Sequence, residues 1–174
     1  MKVAKLIVLA FGILLAGLAI YYFYPQPKLP AGKPVDKLVV YKSKRQLLAY
    51  SNGELLKTYT ISLGRQPLGH KEQEGDGKTP EGLYFINAKN PNSGYHKNLG
   101  ISYPNERDIA HAKSIGKSTG GDVKIHGFKN GILVPPGRFH RLTDWTLGCI
   151  AITNEEVDEL FSAVAVGTPI EINP

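Results

Sequence analysis

The only cysteine of the chain, Cys149, has a setting that suits a nucleophile. Gly148 precedes it in a turn and the apolar segment 150–152 follows it, so the thiol is expected at the start of a strand beside exposed backbone amides. A thiol attacks a carbonyl carbon once a base or a lowered pKa makes it a thiolate, and the amides of such a turn can hold the oxyanion. These residues predict nucleophilic acyl transfer at Cys149.

A cysteine nucleophile needs a base, and histidine is the side chain best matched to that task at neutral pH. The five histidines of the chain are His70, His96, His111, His126 and His140. His126 ends the predicted strand 122–126 and is followed by Gly127, so its ring is expected at a sheet edge where Cys149 can meet it. We therefore predict His126 as the base. Taken alone, the two residues leave structural roles open, as a buried small hydrophobe and a satisfied loop histidine.

Other kinds of site find little support in the sequence. Segment 64–71 has histidine where a phosphate-binding loop requires lysine, and 116–118 lacks the glycine that should lie five residues earlier. The chain has neither a pair of cysteines nor a His-x-x-x-His or His-Glu-x-x-His string. We therefore expect no nucleotide, metal or other cofactor, and one cysteine allows no intramolecular disulfide.

The net charge of +6 first suggests a nucleic-acid partner, but its distribution argues against one. Four lysines, Lys2, Lys5, Lys28 and Lys33, precede residue 36. Of 21 basic residues, 17 then remain beside 15 acidic ones, which leaves the remainder of the chain at about +2. That charge is too small for a surface that follows a phosphate backbone, so no nucleic-acid partner is expected.

The N-terminus carries an apolar run over residues 6–24, preceded by Lys2 and Lys5. Nineteen apolar residues are long enough to cross a bilayer, and the lysines predict a cytoplasmic N-terminus. A cleavable signal peptide normally has a shorter core and a small-x-small site, for which 17–19 is a weak candidate. We expect residues 1–24 to be a membrane anchor, with a signal segment as the alternative, and the following domain to be exported.

Residues 25–35 are expected to form a linker, since four prolines between 25 and 34 favour an extended spacer. Beyond it, residues 36–174 read as one mostly β domain with one or two short helices. The predicted strands are 37–42, 46–50, 55–63, 82–87, 122–126, 149–152 and 167–172. The predicted helices are 105–113, opened by Asn-x-x-Asp, and 154–163.

The residues around the two candidate catalytic side chains resemble a known family. His126-Gly127 and the segment 144–154, Asp-Trp-Thr-Leu-Gly-Cys-Ile-Ala-Ile-Thr-Asn, are similar to the signature of the bacterial L,D-transpeptidase catalytic domain. The resemblance extends over about 36–172. It implies a mostly β, β-sandwich-like catalytic domain in the cell envelope, with peptidoglycan stem peptides as substrate and acylation of the cysteine.

The resemblance also implies roles for individual residues. Cys149 is the nucleophile and His126 the proton acceptor and donor. The carbonyl of Gly127 helps to orient the imidazole, and the amide of Gly148, with that of Cys149, holds the oxyanion. Thr146 occupies a Ser/Thr position near the thiol and is expected to contact the substrate.

The sequence also departs from the commonest family pattern, in which His-Gly-Cys is followed by an apolar residue and an arginine. Here Leu147 precedes Gly-Cys and Ala151 replaces the arginine, so a frequent charge of the substrate cleft is missing. Arg138 or Arg141 could instead meet a carboxylate of the stem peptide, and Arg141 is the one we select. Tyr103 is expected to line the cleft.

Together these observations lead us to expect a cysteine L,D-transpeptidase that cross-links stem tetrapeptides or makes attachments to them. Its expected place is the inner membrane, with the catalytic domain facing the periplasm, or the periplasm itself if the N-terminal segment is cleaved. An L,D-carboxypeptidase or endopeptidase with the same site, and a non-catalytic wall-binding module, are the alternatives. We expect a monomer.

Overall fold

The chain consists of an apolar N-terminal helix and a mostly β domain, and the computed structural model describes residues 2–132 and 137–174. The helices are α1 (Lys2–Phe23), α2 (Glu106–Ser114), α3 (Asn154–Ala163) and a 3₁₀ helix at Gly137–Leu142. The strands are β1 (Lys37–Tyr41), β2 (Gln46–Ser51), β3 (Glu54–Thr60), β4 (Gly82–Ser93), β5 (His96–Ile101), β6 (Lys124–His126), β7 (Ile150–Ala151) and β8 (Pro169–Asn173). The mostly β prediction is confirmed.

The eight strands join in one curled sheet of order β3-β2-β1-β8-β4-β5-β6-β7. β1 with β8 and β6 with β7 are parallel, and the other neighbours are antiparallel. β4 belongs to both halves of the sheet, because its first residues pair with β8 and its later ones with β5. Register shifts after Ile86 and after Asn90 interrupt the β4–β5 pairing, and such bulges bend a strand. β5 and the second half of β4 were not predicted.

The segment after β3 brings the two ends of the sheet together. Ser62 pairs with Ala151 and Gly64 pairs with Thr146 in isolated bridges. The segment just before β7 is therefore held from both sides, by β6 and by the chain that follows β3. This closure fixes the turn that carries Cys149.

The buried side chains of the sheet form the apolar core, and α3 packs against β5 and β6. Val157 and Leu160 of α3 are fully buried against it. Thr153 begins this helix, since its side chain accepts from the Glu156 amide while the Glu156 carboxylate accepts from the Thr153 amide. The α2 helix begins with the same arrangement, as its Asn-x-x-Asp sequence predicts.

The α1 helix is long and apolar enough to cross a membrane, and none of it is buried. Its last turn contacts the 3₁₀ helix, where the rings of Tyr22 and Phe139 lie 5.8 Å apart. The linker then runs along the domain, because Leu29 packs against the core and Val35 pairs with Val164. The proline-rich segment is therefore in contact with the domain, and it contains a turn at residues 31–32.

Candidate active site

A cleft of about 680 Å³ opens where β6 and β7 lie side by side. It is lined by Arg65, Asn90, Ser93, Gly94, Tyr95, Asn98, Asp122, Lys124, His126, Trp145, Thr146, Leu147 and Cys149. His126 pairs with Ala151, two residues after Cys149, and side chains alternate along a strand. Cys149 and His126 therefore face the same side of the sheet, and both line the cleft as predicted.

The His126 imidazole is held in one tautomer. Its Nδ1 lies 2.7 Å from the Gly127 carbonyl oxygen, which can only accept a hydrogen bond, so Nδ1 carries the proton. Nε2 is then the unprotonated nitrogen, with the lone pair that a base requires. The ring is packed between Tyr95 and Trp145, with centroids at 4.8 and 5.7 Å, and only 6% of the residue is exposed. The side chain is thus prepared to accept a proton.

Position 127 requires a glycine, because a side chain there would displace the side chain of Asn154. A Cβ at this position would collide with the Asn154 side-chain oxygen, which accepts a hydrogen bond from the Phe128 amide at 2.8 Å. The first residue of α3 therefore holds the backbone whose carbonyl orients His126. Asn154 belongs to the signature segment, but its role becomes visible only in the folded chain.

Burial favours the neutral forms of both His126 and Cys149. Burial lowers the pKa of His126, against the opposing effect of its hydrogen bond to Gly127. Burial raises the pKa of the Cys149 thiol, although the Lys124 amide and ammonium both favour the thiolate. The resting site therefore holds a thiol and a neutral imidazole, and the proton moves when the sulfur attacks.

The turn before Cys149 is organised by Thr146. The Thr146 hydroxyl donates to the Cys149 carbonyl at 2.7 Å and accepts from the Gly148 amide at 3.1 Å. The Gly148 N–H is thus engaged by the Thr146 hydroxyl, and its expected part in binding an oxyanion stays a prediction. Thr146 lines the cleft as expected, with a hydroxyl engaged by the turn.

A bidentate ion pair between Arg45 and Asp144 also holds the segment before Cys149. Arg45 donates to both carboxylate oxygens of Asp144, at 2.7 to 3.1 Å, and Asp144 also accepts from the Leu63 amide. The carboxylate thus joins the chain after β3 to the residues before Cys149.

Among residues 2–132 and 137–174, no group of three His, Cys, Asp or Glu side chains is placed to hold a metal ion.

The family model of the YkuD L,D-transpeptidase catalytic domain matches residues 36–172. The chain belongs to the L,D-transpeptidase family. YafK of Escherichia coli K12, whose own assignment as an L,D-transpeptidase is provisional, is 32% identical over 139 residues. The alignment covers 76% of this chain and 48% of YafK.

Solved structures share the fold of this domain. The helical cell shape determining protein Pgp2 of Campylobacter jejuni is 25% identical with a TM-score of 0.57, over 81% of this chain and 48% of Pgp2. An L,D-transpeptidase of Mycobacterium tuberculosis shares the fold at 17% identity and a TM-score of 0.52, over 81% of this chain and 58% of its own. This chain spans about half the length of YafK and Pgp2.

Two residues expected to bind the substrate of this L,D-transpeptidase domain lie outside the cleft. Tyr103 is 5% exposed and donates to the Thr119 carbonyl at 3.1 Å. Arg141 donates to the Glu156 carboxylate at 2.7 Å, and its side chain is 9% exposed. Both are committed to partners within the domain, so their positions do not support a role in substrate binding.

The cleft instead contains residues that the sequence did not single out. Tyr95 packs on the catalytic imidazole, and Arg65, Asp122 and Lys124 bring charge to the cleft. Tyr95 and Arg65 lie on segments far from the signature in sequence, so no local pattern marks them. Lys124 is two residues from His126, and strand alternation could have indicated its face.

The lowered pKa of His126 predicts the pH dependence of this L,D-transpeptidase domain. We expect kcat/KM to rise with pH through a midpoint below the ordinary histidine value of about 6.5, because the imidazolium cannot accept the thiol proton. Alkylation of Cys149 by iodoacetamide should increase only above about pH 9, since burial raises the thiol pKa. A kcat/KM midpoint above 6.5 would contradict this description of the resting pair.

Proposed function

We propose that this protein is a peptidoglycan L,D-transpeptidase that works through an acyl-enzyme on Cys149. The observation that carries the proposal is the Nδ1 hydrogen bond of His126 to Gly127, which leaves Nε2 as a base in the cleft that Cys149 lines. A histidine retained only for packing would not need this tautomer. Family membership supplies the substrate class, the stem peptides of the cell wall.

In the first half of the reaction, the Cys149 proton passes to His126 Nε2 while Sγ bonds to the carbonyl carbon of the third residue of a donor tetrapeptide. The Cys149 amide stabilises the resulting oxyanion. The carbon–nitrogen bond then breaks, and the imidazolium returns the proton to the departing D-alanine amine. A thioester on Cys149 and free D-alanine result.

In the second half, the amine of a neighbouring stem peptide attacks the thioester and gives a proton to His126. The carbon–sulfur bond breaks, and the thiolate recovers its proton from the imidazolium. One amide has been exchanged for another, so no nucleotide is consumed. If water attacks instead, the same site is an L,D-carboxypeptidase, or an endopeptidase when the bond that was cut belonged to a cross-link.

We place this reaction at the outer surface of the inner membrane. The exposed apolar helix α1, with Lys2 and Lys5 near its start, supports an anchor whose N-terminus is cytoplasmic. The likeness to Pgp2 supports a contribution to cell shape through the wall. Mass measurement of the N-terminus in the membrane fraction tests the anchor, since cleavage would remove Met1 and the residues after it.

Purified disaccharide-tetrapeptides test the function directly. We expect the full chain in detergent to release D-alanine, and the masses of the products distinguish dimers, which indicate transpeptidation, from trimmed monomers, which indicate hydrolysis. Addition of a free D-amino acid as a second acceptor should divert the acyl-enzyme into an exchanged tetrapeptide. Binding of the stem peptide without any release of D-alanine would support a wall-binding module instead.

A further inference from the structure

Position 151, where the common family pattern has an arginine, holds an alanine, so a cation in the cleft must come from another residue. Ala151 is fully buried, and its amide and carbonyl both bond to Ser62 at 2.9 Å, so a longer side chain there would have to displace its neighbours. Two cations nevertheless line the cleft, Arg65 and Lys124. Either side chain could bind a charged group of the substrate next to the bond that is cleaved.

Lys124 is the nearer of the two by position in the sheet. Ile125 pairs with Ile150 in the parallel β6–β7 ladder, so Lys124 lies beside Cys149, and neighbouring strands are about 4.8 Å apart. Alternation places its side chain on the face that His126 also uses. Its charge acts on both catalytic groups, since it lowers the pKa of His126 and opposes the raised pKa of Cys149.

The Lys124 ammonium is also available to a ligand. In the part of the chain that the structure describes, its ion-pair partner is Asp122, at 3.0 Å, whose side chain is 87% exposed. An ion pair with so exposed a carboxylate contributes little, so a substrate carboxylate can join or replace it. Arg65, by contrast, donates its Nε to the Trp145 carbonyl at 3.3 Å, and its amide bonds to Thr146. The flexible lysine therefore fits the reacting end of the substrate better.

We propose that Lys124 binds the free terminal carboxylate of the donor peptide, in place of the missing arginine. This inference rests on the proposed function, in which a terminal D-alanine leaves. Only the leaving nitrogen and one Cα separate the attacked carbonyl carbon from that carboxylate, a reach of about 4 Å. A cation beside the nucleophile is thus where the carboxylate must lie, and it would select peptides with a free end.

A comparison of two donors tests the role of Lys124. One is the tetrapeptide with its free terminal carboxylate, and the other is the same peptide with a terminal amide. We expect the full chain to prefer the acid by about 10- to 100-fold in kcat/KM, the range for a hydrogen bond between charged groups. Lys124→Met should remove this preference by slowing the acid more than the amide, because loss of the charge near Cys149 and His126 affects both donors alike, whereas Lys124→Arg should retain the preference.

The ratio of the two donors separates binding from other effects. A change in thiol pKa or in folding alters both donors equally, and Lys113→Met, an exposed lysine on α2, serves as the matched control. An acid preference that is unchanged in Lys124→Met would overturn the inference. A preference that is lost in Arg65→Met and kept in Lys124→Met would overturn it as well. If the full chain turns over neither donor, the proposed function fails instead, and the two failures are therefore distinguishable.

Discussion

Replacing Cys149 with alanine should reduce D-alanine release from disaccharide-tetrapeptides by about 10⁴-fold or more, since removal of a nucleophile eliminates the covalent route. Cys149→Ser should also be severely impaired, because a neutral imidazole activates a hydroxyl less readily than a thiol. The folded structure should be retained, because the alanine removes only a thiol whose weak hydrogen bond, 3.6 Å to the Asp122 carbonyl, contributes little. Release of D-alanine, measured with an amino-acid oxidase, checks the result.

A carbapenem provides a second measurement that does not require the natural substrate. This strained amide should add once to the full chain, and peptide mass spectrometry should place the adduct on Cys149. No other cysteine exists to compete for it. Persistent labelling of Cys149→Ala, or D-alanine release by that variant, would show that another group attacks and would contradict the mechanism.

The local elements of the fold were accessible from sequence because their signals are local. The Thr153 and Asn105 caps form hydrogen bonds within three residues, so the patterns that predict α2 and α3 also contain the interactions that begin them. β5 was missed because it owes its strand conformation to pairing with β4 and β6. Its polar start, His96 to Asn98, carries no alternation that would have predicted it.

The presence of Cys149 and His126 in one cleft was predictable for a similar reason, and the positions of Tyr103 and Arg141 were not. Cys149 and His126 each carry their chemistry with a neighbouring glycine, and the folded sheet places both on one face. Arg141 looked available because Glu156, which engages it, lies on a different element. The partner of a charged side chain is a tertiary property, and a sequence pattern shows only that the charge exists.

The positions of the supporting groups also explain why the site tolerates an unusual signature. Leu147 is 74% exposed at the cleft, so a change of side chain there alters the surface that meets the substrate and leaves the core intact. Ala151 is fully buried and brings no charge to the site. The Gly127 carbonyl holds the His126 ring and the Thr146 hydroxyl holds the Cys149 carbonyl, and neither Leu147 nor Ala151 takes part in these bonds.

The backbone of Gly148 leads to the second large effect. This residue has φ of +137°, and a Cβ there would lie 2.7 Å from the Lys78 carbonyl oxygen, closer than such atoms approach. We expect Gly148→Ala to displace the turn and lower kcat/KM by about 100-fold or more, because a shift of about 1 Å suffices for such a loss. The thiol and imidazole remain present, so the loss would come from geometry alone.

Gly121→Ala is the matched control, since a Cβ there meets open space. Carbapenem acylation rates of the two variants check the result, and a Gly148→Ala protein that acylates at the rate of the unmodified chain would show that the turn does not position Cys149.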